Sequence, residues 1–295
     1  MKISATQHLE YARPFNWSSI LGFLARRVTP GVETISQNTY SRSFRLGQHC
    51  GYFEVSHDPD RDCLLVNINV PNQDLIPAVL ERIRSLFDLN FNPDIMLATL
   101  GKDEKLWSRV ELNPGLRKPG SWDGIEIAVR AITGQQISVD GATTVMGKIA
   151  YMFGEQTPVG FPVSHFFPTP QALAELDPQA LPMPQARART IRSVSKAITD
   201  GKLALESNLN TQFLIDQLLA IKGIGPWTAQ YIAMRALADA DALLEGDLVL
   251  ENAAGHLYGD GQRMPTRELV ELAEQWRPYR AYASLHLWEY SAGIK

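Results

Sequence analysis

Every strand-like run that the sequence offers is finished by residue 70, and helical periodicity governs the remainder of the chain. Between residues 43 and 70, "SFRLGQHCGYFEVSHDPDRDCLLVNINV" holds three short runs separated by Gly-rich and Asp/Pro-rich turns. In the last run Leu64, Val66, Ile68 and Val70 fall on one face, the period of two that a half-buried strand needs. After Pro71 and Asn72 the period changes. In "DLIPAVLERIRSLFDL" the residues Leu75, Val79, Ile83 and Leu86 form an apolar helical stripe, and another helix is expected in "WSSILGFLARR". From residue 100 onward the spacing predicts helices over 122–153, 170–177, 184–200, 211–221, 227–238, 248–256 and 266–291. The fold class is therefore α+β: a small antiparallel sheet backed by helices over residues 1–98, then a helical region over 99–295.

The 295 residues, 45% hydrophobic and 20% charged, suffice for two or three packed units. A net charge of -4 argues against a protein that holds nucleic acid by overall basicity, although a local basic face is compatible with it. Cys50 and Cys63 are too few for a four-thiolate iron–sulfur cluster, form no CxxC knuckle, and read as reduced thiols. The stretch "MKISATQHLEYARPFNW" has no apolar core of signal-peptide length and no run approaches a membrane span, so a cytoplasmic protein is expected.

The most informative stretch is "LLAIKGIGPWTAQYIAMRAL" at 218–237, where Gly223, Gly225 and Pro226 interrupt what otherwise reads as one helix. Two helices joined by so short a turn make a helical hairpin. Glycines there permit positive φ and the approach of another backbone. Pro226 suits the first position of the second helix, whose remaining amides face outward and match a phosphate. A tight connection without a ligand is the alternative reading of a bare GxG.

"LLAIKGIGPWTAQYIA" resembles the helix-hairpin-helix of DNA repair glycosylases, and most closely that of the bacterial 3-methyladenine DNA glycosylase II family. The similarity continues through "PFNWSSILGFLARRVTPGVE", "LFDLNFNPD", "PGLRKPGSWDGIEIAVRAITGQQISV", "FPTPQALA", "LPMPQARARTI" and "YRAYASLHLWEY". The resemblance implies a TATA-binding-protein-like N-terminal domain, two helical domains with a cleft between them, and base flipping. It implies a monomer that acts on double-stranded DNA with alkylated bases and uses neither metal nor cofactor.

Breaking an N-glycosidic bond leaves an oxocarbenium-like sugar, which a carboxylate beside the anomeric carbon stabilises. The resemblance assigns that carboxylate to Asp247 in "ALLEGDLVLENAAG", with Glu245 as the nearby competitor; read alone, an Asp in that place is a helix N-cap. It assigns Trp227, Tyr231 and Trp288 to an electron-rich base pocket that Phe23 closes, and Lys222, Gly223, Ile224, Gly225 and Thr228 to DNA contact. Trp227 stands where strand-cleaving relatives carry a Schiff-base lysine, so the implied product is an abasic site. The resemblance lapses at Gln136, which takes the place of an apolar wedge, and at Glu289, where an aromatic residue is familiar and the pocket is expected to be reshaped. The basic run Arg187, Arg189, Arg192 and Lys196 reads as a solvated helix face. Two other classes remain: a non-catalytic DNA-structure-binding hairpin protein, and a methyl-transferring repair protein, which would need an activated cysteine.

Overall fold

A computed structural model of the chain describes residues 3–205 and 210–293. Its N-terminal part is an antiparallel five-stranded sheet in the order β1-β5-β4-β3-β2. The strands are β1 (Ile3–Glu10), β2 (Glu33–Ser36), β3 (Thr39–Leu46), β4 (His49–Asp58) and β5 (Cys63–Val70). The three expected runs are the three central strands, and the two that the sequence pattern misses are the edges. An edge strand pairs on one side only, so it needs less of the apolar alternation that betrays a strand. In β1, "ISATQHLE" is mostly half-buried or exposed, and β2 has four residues.

Helices α1 (Trp17–Ala25) and α2 (Ile76–Leu86) cover one face of the sheet. Trp17, Ile20, Leu24, Val79 and Ile83 pack there with Tyr40, Phe53, Val55, Leu64 and Ile68. Each such side chain contributes about 1.5–3 kcal/mol of apolar burial, an upper estimate because the unfolded chain is already partly compact.

The helical region begins with α3 (Pro93–Leu100), α4 (Glu104–Val110), α5 (Gly124–Thr133) and α6 (Val139–Phe153). It continues with α7 (Pro170–Glu175), α8 (Gln185–Thr199), α9 (Thr211–Leu219) and α10 (Pro226–Ala236), and ends with α11 (Leu248–Tyr258), α12 (Thr266–Ala273) and α13 (Arg280–Gly293). Their apolar faces meet in a second core that includes Met96, Ile132, Met146, Ile191, Leu218, Ile232, Leu250 and Trp276. Two segments expected as single helices are broken. The stretch 122–153 is interrupted after Thr133: Gly134 caps α5, Gln136 adopts φ +58°, and the Ser138 hydroxyl accepts the Gly141 amide at 3.1 Å to start α6. The stretch 266–291 stops at a 3₁₀ turn, Glu274–Trp276, and restarts only beyond Pro278, which has no amide to continue a helix. Neither break disturbs the apolar period, so periodicity alone does not reveal them.

The two cores meet across a buried polar network. Arg42 on β3 is 2% exposed, and its guanidinium donates to Glu33 at 3.0 Å and to Glu126 on α5 at 2.8 Å. Glu126 also accepts the Thr29 hydroxyl at 2.7 Å, and Thr29 in turn accepts Arg130, one turn further along α5, at 3.2 Å. Burial alone would raise the Glu126 carboxyl, but Arg42 outweighs it and holds the group below its ordinary range. Beside the network Trp122 packs on Phe44 and Phe53, with ring centroids 4.7 and 5.3 Å apart. Among the described residues, no helix is long and apolar enough to cross a membrane.

His286 on α13 is buried, and neither ring nitrogen has a hydrogen-bond partner among the described residues. Burial lowers its pKa from 6.5 to about 4. Below pH 6.5 the unfolded chain therefore binds a proton that the folded chain refuses until about pH 4, so stability falls as pH falls through that window and the group contributes nothing above it. We expect the slope to approach about 1.4 kcal/mol per pH unit. Denaturant titrations between pH 7 and 4 should show a flatter acid limb for His286→Leu than for wild type; equal slopes would refute this.

Candidate active site

Helices α9 and α10 form the expected hairpin. Gly223 adopts φ +97°, and a Cβ there would lie 2.1 Å from Thr190 Oγ1 on α8, so both the turn and its packing demand glycine. The turn is tied down from two sides. The Thr190 hydroxyl donates to the Lys222 carbonyl at 3.0 Å, and Gln135 Nε2 donates to the Gly223 carbonyl and to Thr228 Oγ1, each at 3.0 Å. With those carbonyls held inward, the first amides of α10, which have no acceptor within the helix, are left for an outside partner.

Gly225 differs from the sequence-based expectation of positive φ. It has φ -100° and ψ 175°, extended backbone that any residue adopts, and a Cβ would meet no atom within 4 Å. The fold does not require glycine there; open space for an approaching group is what the missing side chain supplies. Lys222 is exposed beside it, whereas the Ile224 side chain is buried in the helical core and Thr228 is buried with its hydroxyl engaged by Gln135. Any contact that Ile224 or Thr228 makes outside the protein is thus through the backbone. Arg189, Arg192 and Lys196 are exposed on α8, with Arg187 half-buried.

One turn of α10 beyond Pro226 brings the chain to a cavity of about 430 Å³. Its wall includes Trp227 and Tyr231 from α10, Asp247 and Val249 at the start of α11, and Trp288 from α13. Trp227 and Tyr231 stack face to face, with centroids 5.2 Å apart and planes 9° apart. Asp247 caps α11: its Oδ1 accepts the Val249 and Leu250 amides, both at 3.0 Å. The two indoles also hold it, Trp227 Nε1 donating to Oδ2 at 2.9 Å and Trp288 Nε1 to Oδ1 at 3.3 Å. A carboxylate has about two lone-pair sites on each oxygen, so Oδ1 is fully engaged while Oδ2 keeps a site in reserve. The N-cap and the catalytic readings of Asp247 are therefore compatible in one side chain. Glu245 is exposed and is not part of the wall.

Two expected contributors are elsewhere. Phe23 does not line the cavity, because the Arg27 guanidinium lies over its ring, 3.8 Å from the centroid, and takes that place in the wall. Glu289 does not narrow the cavity; its carboxylate accepts Asn113 Nδ2 at 2.8 and 3.0 Å on the side facing α1. Gln136 is exposed at the apex of the turn between α5 and α6, flanked by the cavity residues Gly134 and Ile137.

The sequence reading passes over the arginines. Arg27 and Arg130 are in the wall, and Arg235 donates to the Tyr231 hydroxyl at 2.8 Å. Burial would raise the Tyr231 phenol, but the charges of Arg235, Arg27 and Arg130 outweigh it and bring the pKa below its usual value. No local pattern marks these residues: Arg27 and Arg235 contact Phe23 and Tyr231 one helical turn away, but what gives them meaning is a cavity assembled from distant parts of the chain. A wider groove of about 980 Å³ runs between residues 156–165 and β2, but its one carboxylate, Glu33, is already engaged by Thr29, Tyr40 and Arg42. Among the described residues, no group of three or more His, Cys, Asp or Glu side chains is placed to hold a metal.

Comparison with known proteins matches this architecture. The AlkA N-terminal domain model fits residues 6–123, and the model for the HhH-GPD superfamily base excision DNA repair protein fits residues 129–278. A probable bifunctional transcriptional activator/DNA repair enzyme AlkA of Mycobacterium tuberculosis is 38% identical over 93% of this chain, which spans 55% of that protein's length. DNA-3-methyladenine glycosylase 2 of Escherichia coli is 35% identical, with 95% of each chain covered. A 3-methyladenine DNA-glycosylase from Archaeoglobus fulgidus has the same fold at a TM-score of 0.85, covering 98% of both chains at 21% identity. With its antiparallel N-terminal sheet, its helical hairpin and its aromatic, carboxylate-bearing cavity, the chain belongs to the HhH-GPD superfamily of base excision DNA repair proteins.

Proposed function

We propose that this protein is a monofunctional DNA glycosylase that flips an alkylated base out of double-stranded DNA and hydrolyses its N-glycosidic bond, leaving an abasic site. The observation that carries the reading is Asp247: a carboxylate fixed by two backbone amides and two indole N–H groups on the wall of a cavity floored by stacked aromatics. Its fixed negative charge acts on the sugar as the C1′–N bond breaks, in a cleft where screening is weaker than in water. A cationic alkylpurine leaves as a neutral molecule, so a single carboxylate suffices. Trp227, Tyr231 and Trp288 would attract such a base by stacking and cation–π contact, on the order of 1–3 kcal/mol per ring. Lys222 and the amides beside Gly223 and Gly225 would hold the backbone of one strand, and Gln136 would fill the gap that the flipped base leaves. The names of the Escherichia coli and Archaeoglobus fulgidus relatives support the choice of an alkylated base.

Asp247→Asn should reduce single-turnover base release by about 100-fold or more, as expected for the loss of one preorganised electrostatic group. The amide keeps the cap but turns an N–H₂ toward an indole donor, so stability should fall by about 1 kcal/mol. That is too little to explain the rate; near-wild-type release would send the assignment elsewhere, first to Glu245.

Gly225→Val should fold normally yet bind DNA roughly 10-fold or more weakly, the cost of losing an amide–phosphate hydrogen bond. Gly223→Val should instead destabilise the protein through its φ of +97° and its contact with Thr190. Equal DNA affinity of Gly225→Val and wild type, with matched melting temperatures, would remove the hairpin from the interface. Borohydride added during turnover should trap no covalent protein–DNA adduct, since Trp227 occupies the position from which a lysine would attack; an adduct would show a lyase.

A further inference from the structure

The aromatic cavity contains a cation that the capture of a positively charged base does not call for. Arg27 lines the wall, and among the described residues it donates one hydrogen bond, from Nη1 to the Phe23 carbonyl at 3.3 Å. A guanidinium has five N–H donors, so most of this fork is unspent. Arg26, also in the wall, is exposed to water, and two further arginines are in a different state. Arg130 donates to Thr143, Val28 and Thr29, and Arg235 donates to Tyr231 and twice to the Gly120 carbonyl. Arg27 is also held in place: its guanidinium lies 3.8 Å from the Phe23 ring centroid, one helical turn earlier in sequence. Burial lowers its pKa to about 10, so it stays charged at neutral pH while being poorly hydrated, the condition in which a donor gains most from a new acceptor.

We infer that Arg27 is a specificity-determining residue that reads the edge of the flipped base, donating to a carbonyl oxygen or ring nitrogen of a base that carries no formal charge. The inference rests on the glycosylase reading and deepens it. When the C1′–N bond breaks, its electron pair goes to the base. A cationic base becomes neutral, but an uncharged base becomes an anion unless its charge is met. Water adds to C1′ and gives up a proton, the departed base takes one up, and the sum is hydrolysis. Arg27 keeps its own proton throughout. Its fork would stabilise the developing anion by charge-assisted hydrogen bonds, whereas toward a cationic base it would be neutral or repulsive. The cavity would then serve two leaving-group classes with different residues: Asp247 acts on the sugar in both, and Arg27 acts on the base only where the base is uncharged.

The test uses the full chain and two duplexes of one sequence, one carrying hypoxanthine as the uncharged base and the other 7-methylguanine as the cationic one. Single-turnover rate constants at saturating enzyme, which do not depend on the folded fraction, would be measured for wild type, Arg27→Met and Arg27→Lys. We expect Arg27→Met to slow hypoxanthine release roughly 10- to 100-fold more than it slows 7-methylguanine release, with Arg27→Lys between wild type and Arg27→Met on hypoxanthine. If the methionine variant does not fold, the lysine variant must show the same split, since it keeps the charge but loses the fork. Equal losses on both bases, or no loss on either, would overturn the inference. Wild-type release of 7-methylguanine alone would also overturn it while leaving the glycosylase reading intact, and release of neither base would end both.

Discussion

The way the two cores dock against each other centres on one buried cation. Arg42 sits on the sheet between Glu33 and Glu126, and the second of these carboxylates belongs to the first long helix of the other core. A buried ion pair is weak evidence for net stability, because desolvation offsets its attraction, but removing one partner leaves an uncompensated charge at a cost of about 3–5 kcal/mol. The pair therefore discriminates between arrangements: of the ways two apolar cores can be set against each other, few satisfy Arg42, Glu126 and Thr29 together. The same helix presents Arg130 to the cavity one turn later, and the segment after α1 presents Arg26 and Arg27. The cavity wall is thus assembled from both parts of the chain, and its dimensions follow from how they dock.

Asp247 shows how much one side chain does when its oxygens are unequal. Oδ1 is spent on the helix start and on Trp288, while Oδ2 is oriented by a single indole. The carboxylate is fixed in direction before any ligand arrives, so in the proposed reaction little reorganisation would be needed as positive charge develops nearby. The tryptophans have a dual part, since the rings that line the cavity also carry the N–H groups that aim the carboxylate. Changing either one alters both the shape of the wall and the direction of the charge.

How much of the molecule is legible in its sequence depends on the range over which each feature is encoded. The hairpin, the central strands and most helices are local, set by periods of two or 3.6 and by Gly and Pro, and they are legible. The edge strands β1 and β2 are not, because what makes them strands is the neighbour they pair with. The break at 134–138 hides inside an unbroken apolar period, and its marks are the Gly134 cap, the positive φ of Gln136 and the Ser138 N-cap. For the cavity, the family resemblance leads to Trp227, Tyr231, Asp247 and Trp288, which the structure places around one space. Phe23 is displaced by Arg27, and Gln135, Arg27 and Arg130 pass unnoticed, because each acquires its meaning from a residue that lies far along the chain.

Gln135 ties together two turns whose helices, α5 and α10, also pack directly on each other. One amide nitrogen clamps the turn between α9 and α10, while the adjoining residue, Gln136, forms the apex of the turn between α5 and α6. The two turns behave as the jaws of one tool rather than as separate loops. On the proposed function the first turn would grip a strand and the second would probe it, and the Gln135 bridge helps to fix the distance between them, much as a hinge fixes a caliper. A duplex seated on the first would thereby be in register with the second, and recognition of the backbone and interrogation of the stacked bases would become a single geometric act.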